Sequence, residues 1–180
     1  MTERGFATEL AVRAASPTTW ALTEDLVWTG ETQTFTVPAG FLTDFATVPR
    51  FLHWLFLPYG AYTRAAVLHD WLLTELADEY NQTPPADSRD TDAIFRVAMR
   101  DLGVGWPKRW LGWTAVRWGA LFNRRRAYGR GFARDAGKVL GMSLLALPVV
   151  LPGAVGVLLS LAEARVITWI SAGRPRVRRA

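Results

Sequence analysis

The 180-residue sequence has no cysteine, which excludes disulfides, thiolate metal sites and a cysteine nucleophile. Histidine occurs twice, as His53 and His69, so any imidazole chemistry runs through one of these two rings. Lysine also occurs only twice, against nineteen arginines, a bias that a GC-rich coding sequence explains better than a ligand does. No apolar stretch follows a basic start at Met1–Gly5, so a cleavable secretory signal is not expected. Charge is missing altogether from Val139 to Ala162, a run of 24 residues.

Half of the residues are apolar, enough for a packed core and against global disorder. The net charge of +5 hides a split. Residues 1–119 carry 10 basic and 14 acidic side chains, and residues 120–180 carry 11 basic and 2 acidic. A mildly acidic globular part over residues 1–126 is therefore expected, followed by a basic, apolar tail over 127–180. The uncharged run is long enough to cross a bilayer as a helix, for which about 20 residues suffice. Pro148 and Pro152 leave open whether it is one kinked helix or a helical hairpin. Its flanks are basic on both sides, so positive charge gives no orientation. The arginine clusters flank apolar sequence and are not interleaved with exposed aromatics, so nucleic acid is not expected as a partner.

The fold class expected is mainly α, with a small N-terminal antiparallel β hairpin or meander and a C-terminal apolar helix or hairpin. Trp20–Leu22, Leu26–Trp28 and the β-branched Thr32–Val37 read as strands, and Ala11–Ala14 as a weaker one. Pro38 to Arg50 reads as a structured loop that holds Asp44 against Phe41 and Phe45. Its simpler reading is that Thr43 and Asp44 cap the following turn. Phe51–Leu57 reads as a short apolar helix, with His53 packed in it. Helices are expected over Thr63–Ala77, Arg89–Leu102 and Trp106–Phe122. On the last, Trp106, Trp110, Trp113 and Arg117 form one stripe, read as core.

The candidate site begins at Ala65-Ala66-Val67-Leu68-His69-Asp70-Trp71. His69 shares a helical stripe with Ala66, Leu72, Leu73 and Leu76, and a polar ring there needs a hydrogen-bond partner. Asp92 stands on the apolar stripe of the next long helix with Phe95, Met99 and Leu102. A buried carboxylate also needs a partner, so His69 and Asp92 are expected to meet.

Val37-Pro38-Ala39-Gly40-Phe41, Thr43-Asp44-Phe45-Ala46-Thr47-Val48-Pro49-Arg50, the His69-Asp70 helix and Thr91–Met99 together resemble a domain-of-unknown-function family of tailed phages and prophages. The resemblance covers about residues 20–120. It implies phage origin and supplies no activity; the function expected is a virion protein, such as a minor tail, tail-tip or baseplate component, partnered by other phage tail proteins in a homo- or hetero-oligomeric assembly. The apolar tail would then contact neighbouring protein or bacterial membrane lipid. A weaker resemblance is to the His-Asp helix of secreted phospholipase A2 enzymes. It implies His69 as general base, Asp92 as the group that orients it, and Asp70 as a calcium ligand, with the loop Gly40–Thr47 completing the site and Asp44 as an extra oxygen donor. The cysteines of that group are absent here, its glycine-rich calcium loop is not clearly present, and Leu73 stands near the place of its tyrosine.

Overall fold

The computed structural model describes residues 4–45, 56, 59–74, 76–81, 88–120 and 129–172. Six short strands open the chain: β1 (Gly5–Phe6), β2 (Val12–Ala14), β3 (Trp20–Leu22), β4 (Leu26–Thr29), β5 (Thr34–Val37) and β6 (Leu42–Thr43). They form two three-stranded antiparallel sheets, ordered β1-β4-β5 and β2-β3-β6. The expected mainly α architecture with N-terminal antiparallel β structure is observed, with the β part built as two sheets. The second sheet exists because Leu42 and Thr43, read from sequence as loop, pair with Ala21 and Trp20.

Alternation explains β4 and β5. Leu26, Trp28, Phe35 and Val37 are buried, while the residues between them are not. The register sets Leu26 opposite Val37 and Trp28 opposite Phe35, so the apolar side chains fall on one face. Gly40 returns the chain from β5 to β6. Its φ of +88° suits the third position of a turn closed by Phe41 N–H donating to the Pro38 carbonyl at 3.2 Å, a conformation that favours glycine.

The helices follow as α1 (Thr63–Leu72), α2 (Leu76–Tyr80), α3 (Ser88–Asp101), α4 (Trp106–Ala120) and α5 (Gly129–Ala172). The helix expected to run to Ala77 stops at Leu72, and α2 begins separately at Leu76. Buried Asn81, just after α2, accepts from the Thr36 N–H at 3.0 Å and donates to the Ala77 carbonyl at 2.9 Å. It thereby satisfies an edge amide of β5. The core gathers Leu26, Trp28, Phe35 and Val37 of the sheet with Val67, Leu68 and Leu72 of α1 and Phe95, Ala98 and Met99 of α3. Gly112 of α4 lets α3 come close, since a Cβ there would lie 3.2 Å from the Met99 methyl.

The C-terminal segment is a single 44-residue helix with Pro148 and Pro152 inside it, so the hairpin alternative is set aside. Val139 and Ala146 are buried and Trp118 Nε1 donates to Ser143 Oγ at 3.0 Å, which places the early turns of α5 against α4. Beyond them Leu151, Leu158, Leu159, Ile167 and Trp169 are exposed. The short helix expected at Phe51–Leu57, with His53, lies outside the described residues apart from Phe56.

Candidate functional site

His69 lies in the last turn of α1. Asp92 lies in the second turn of α3. The packing of α1 on α3 brings His69 Nε2 to 2.7 Å from Asp92 Oδ1. The ring is 8% exposed and the carboxylate 1%. The Phe95 ring, one helical turn on, lies 5.0 Å from the imidazole.

Asp92 has a second partner. Arg117 of α4, wholly buried, donates from Nη1 to Asp92 Oδ2 at 2.9 Å. Because Arg117 holds the carboxylate as an acceptor, the His69 ring proton sits on Nε2, and Nδ1 is the nitrogen left to accept. The chain of charges continues. Arg117 Nε is 3.8 Å from Asp135 Oδ2 in α5. Asp135 is 2% exposed and also receives Arg89 of α3, through Nε at 2.8 Å and Nη2 at 3.3 Å. His69, Asp92, Arg117, Asp135 and Arg89 thus form one line through α1, α3, α4 and α5. Two carboxylates and two guanidiniums balance when the imidazole is neutral, which makes burial of His69, Asp92, Arg117 and Asp135 tolerable, with Arg89 partly exposed at the end of the line.

Asp70 points to the neighbouring loop and is half-buried. Its Oδ2 accepts from Thr43 Oγ1 at 3.3 Å, and the same hydroxyl accepts from the Phe45 N–H at 3.0 Å. Burial pushes the Asp70 carboxyl up to about 6; the nearby His69 ring lowers it, the Asp44 carboxylate raises it, and the Thr43 hydrogen bond lowers it. Asp44 itself is exposed, whereas the flanking phenylalanines had suggested an apolar setting. The reason is the backbone. Phe45 takes a left-handed φ of 69°, buries its ring against Trp20 and Tyr59, and leaves Asp44 facing outward.

Thr43 of β6 and Asp44 after it therefore share one electrostatic neighbourhood with Asp70 and His69 of α1. Calcium takes six to eight oxygens; the two carboxylates and the Thr43 hydroxyl would supply a part of that number, and the expected loop Gly40–Thr47 lies partly outside the described residues. Among the described residues no group of three or more histidine, aspartate or glutamate side chains is arranged to hold a metal.

The chain belongs to the DUF1353 family. That family is described as a protein of unknown function, and its model matches residues 20–116. Neither the curated proteins nor the solved structures hold a match to the chain. The DUF1353 segment holds His69, Asp70, Asp92 and Asp44 and runs from β3 into α4. Arg117 lies one residue past it, and Asp135 lies on α5, well outside it.

Sequence reasoning missed Arg117 and Asp135 as parts of the cluster. Arg117 had a visible signal, a cation closing the stripe of Trp106, Trp110 and Trp113. Of that stripe Trp113 and Arg117 are buried, Trp110 is half-buried and Trp106 is exposed. Asp135 had a signal too, because it is one of only two acidic residues after position 119.

Proposed function

We propose that this DUF1353 chain is a membrane-interacting phage virion protein, its globular part a docking module and α5 its bilayer segment. One observation carries the membrane half of this reading: the stretch Arg134–Ser171 includes a strongly apolar 18-residue window with none of its residues buried. Leucine, isoleucine and tryptophan side chains left in water along several helical turns call for a covering phase. At 1.5 Å per residue those 38 residues reach about 57 Å, more than a hydrocarbon core of ~30 Å needs. The phage half rests on the motif resemblance at residues 37–50, 65–71 and 91–99. On this reading the His69-Asp92-Arg117-Asp135-Arg89 line is a structural spine that fixes α5 to the globular part. The test is flotation of the purified full chain with protein-free vesicles. The protein is expected to rise with the lipid and to resist extraction by high salt. Protein that stays at the bottom of the gradient, or leaves at high salt, overturns the membrane assignment.

The 2.7 Å contact between His69 Nε2 and Asp92 supports a second reading, a hydrolase acting on lipid esters. Nδ1 of His69 would take a proton from water as the water oxygen attacks the ester carbonyl, and Asp92 would hold the ring. That reading names calcium at Asp70 and Asp44. It is tested by fatty-acid release from phospholipid vesicles with calcium and with chelator, beside His69→Ala. Equal, background release in all arms ends it.

A further inference from the structure

Beside the early turns of α5, α3, α4 and α5 enclose an open cleft of about 130 Å³. Arg89, Arg96 and Lys138 line it from two helices, and Trp110 and Trp113 form its apolar wall. Arg89 is committed to Asp135. Neither Arg96 nor Lys138 has a carboxylate partner among the described residues. The Arg96 guanidinium is stacked over Trp110, 4.5 Å from the ring centroid. Stacking occupies the flat face of a guanidinium and leaves its in-plane N–H edge to bind an oxyanion. Trp113 stands edge-on to Trp110 at 5.4 Å and keeps that indole in place. Burial and the neighbouring Arg109 guanidinium push Arg96 below its ordinary range, a cost that a bound anion would relieve. Two acidic groups, Asp90 and Asp135, share the cleft, and the second is neutralised by its arginines.

The position of the cleft names the source of the anion. Lys138 is the last charged residue before the uncharged run that starts at Val139. A phosphate seated on Lys138 would therefore lie just ahead of the uncharged run, on the side of it where lipid headgroups stand. We propose that the Arg96–Lys138 cleft binds the phosphate of an anionic phospholipid headgroup, with Trp110 and Trp113 against the glycerol and the first acyl carbons. This deepens the membrane reading and rests on it.

The experiment uses the full chain in flotation, with vesicles of phosphatidylcholine alone and of phosphatidylcholine mixed with phosphatidylglycerol. Three proteins are compared: wild type, R96Q/K138Q, and R176Q/R178Q as an equal-charge control in the tail. Wild type is expected to favour the anionic vesicles. The cleft variant is expected to lose that preference by roughly fivefold per neutralised cation and to keep its partition into phosphatidylcholine. The tail control is expected to lose less, and only at low salt. Equal losses in the two variants overturn the cleft and leave a diffuse electrostatic attraction. Failure of wild type to bind either vesicle overturns the membrane reading itself, and the cleft with it. In a further arm, short-chain phosphatidylglycerol below its micelle concentration is expected to compete for wild type, whereas inorganic phosphate at equal concentration is not. Equal competition by both assigns the cleft to free phosphate and overturns the lipid assignment.

Discussion

Arg117 is the largest fully buried side chain among the described residues. It is fully buried, and it faces Asp92 on one side and Asp135 on the other. Arg117→Met keeps the volume and removes the charge, leaving two carboxylates in the interior without their shared cation. Removing one member of a buried pair costs about 3–5 kcal/mol, and urea denaturation of the variant is expected to show a loss of that size. Asp70 gives the pH signature. Its folded value of about 6 lies above the ordinary 3.8, so folding disfavours the charged form. The stability that Asp70 contributes is full below about pH 4 and is lost as pH rises through 6. Asp70→Asn has no such titration. In chelator it is expected to match wild type near pH 4 and to exceed it by roughly 1–2 kcal/mol at pH 7, measured by denaturation at the two pH values. Repeating the pH 7 measurement with calcium separates a metal ligand from a buried acid. A ligand would stabilise wild type alone, since only a site in the native state gains from added ion.

At the scale of elements, Asp135 decides how α5 is held. Among the described side chains in the early turns of α5, Val139 and Ala146 are the buried apolar ones, and the ion pairs from Asp135 to Arg89 and Arg117 add to the docking. Asp135→Ala is expected to raise amide hydrogen exchange over residues 135–146 and at the C-terminal end of α4, with little change in β4, β5 and α1. Uniform exchange across the whole chain would mean that the network supports the global fold instead. The same contrast marks how much was legible in the sequence. The meeting of His69 with Asp92 could be foreseen because each is a polar residue on an apolar helical stripe, and helical periodicity fixes those stripes. Strands β3 to β5 were legible from alternation and β-branching. The β6 pairing was not, because two residues carry no period. The left-handed turn at Phe45, which exposes Asp44, left no mark, since bulky residues rarely adopt it. Asp135 was missed for a different reason. Charge and hydropathy divide the chain near position 126, and a buried ion pair across that division cannot be seen from local composition.

For the whole molecule, the placement of apolar surface is the deciding quantity. The globular part closes its own core with sheet, α1 and α3, yet α5 carries its largest side chains outward, with Trp169 at 79% exposure. A protein-built sleeve or a bilayer could cover them, and the two differ in what a single charge would do in a protein-free system. Leu151 is 51% exposed, lies past the buried Val139 and Ala146, and stands at the middle of the uncharged run Val139–Ala162. Leu151→Arg should therefore leave the urea midpoint of the globular part unchanged. In a bilayer, an arginine at the centre of a spanning helix costs about 2.5–3.5 kcal/mol, so vesicle partition is expected to fall by roughly a hundredfold. Leu151→Phe, still apolar, is expected to partition as wild type does. If arginine and phenylalanine variants float equally well, Leu151 does not sit in hydrocarbon, and the exposed length of α5 is a surface for other protein.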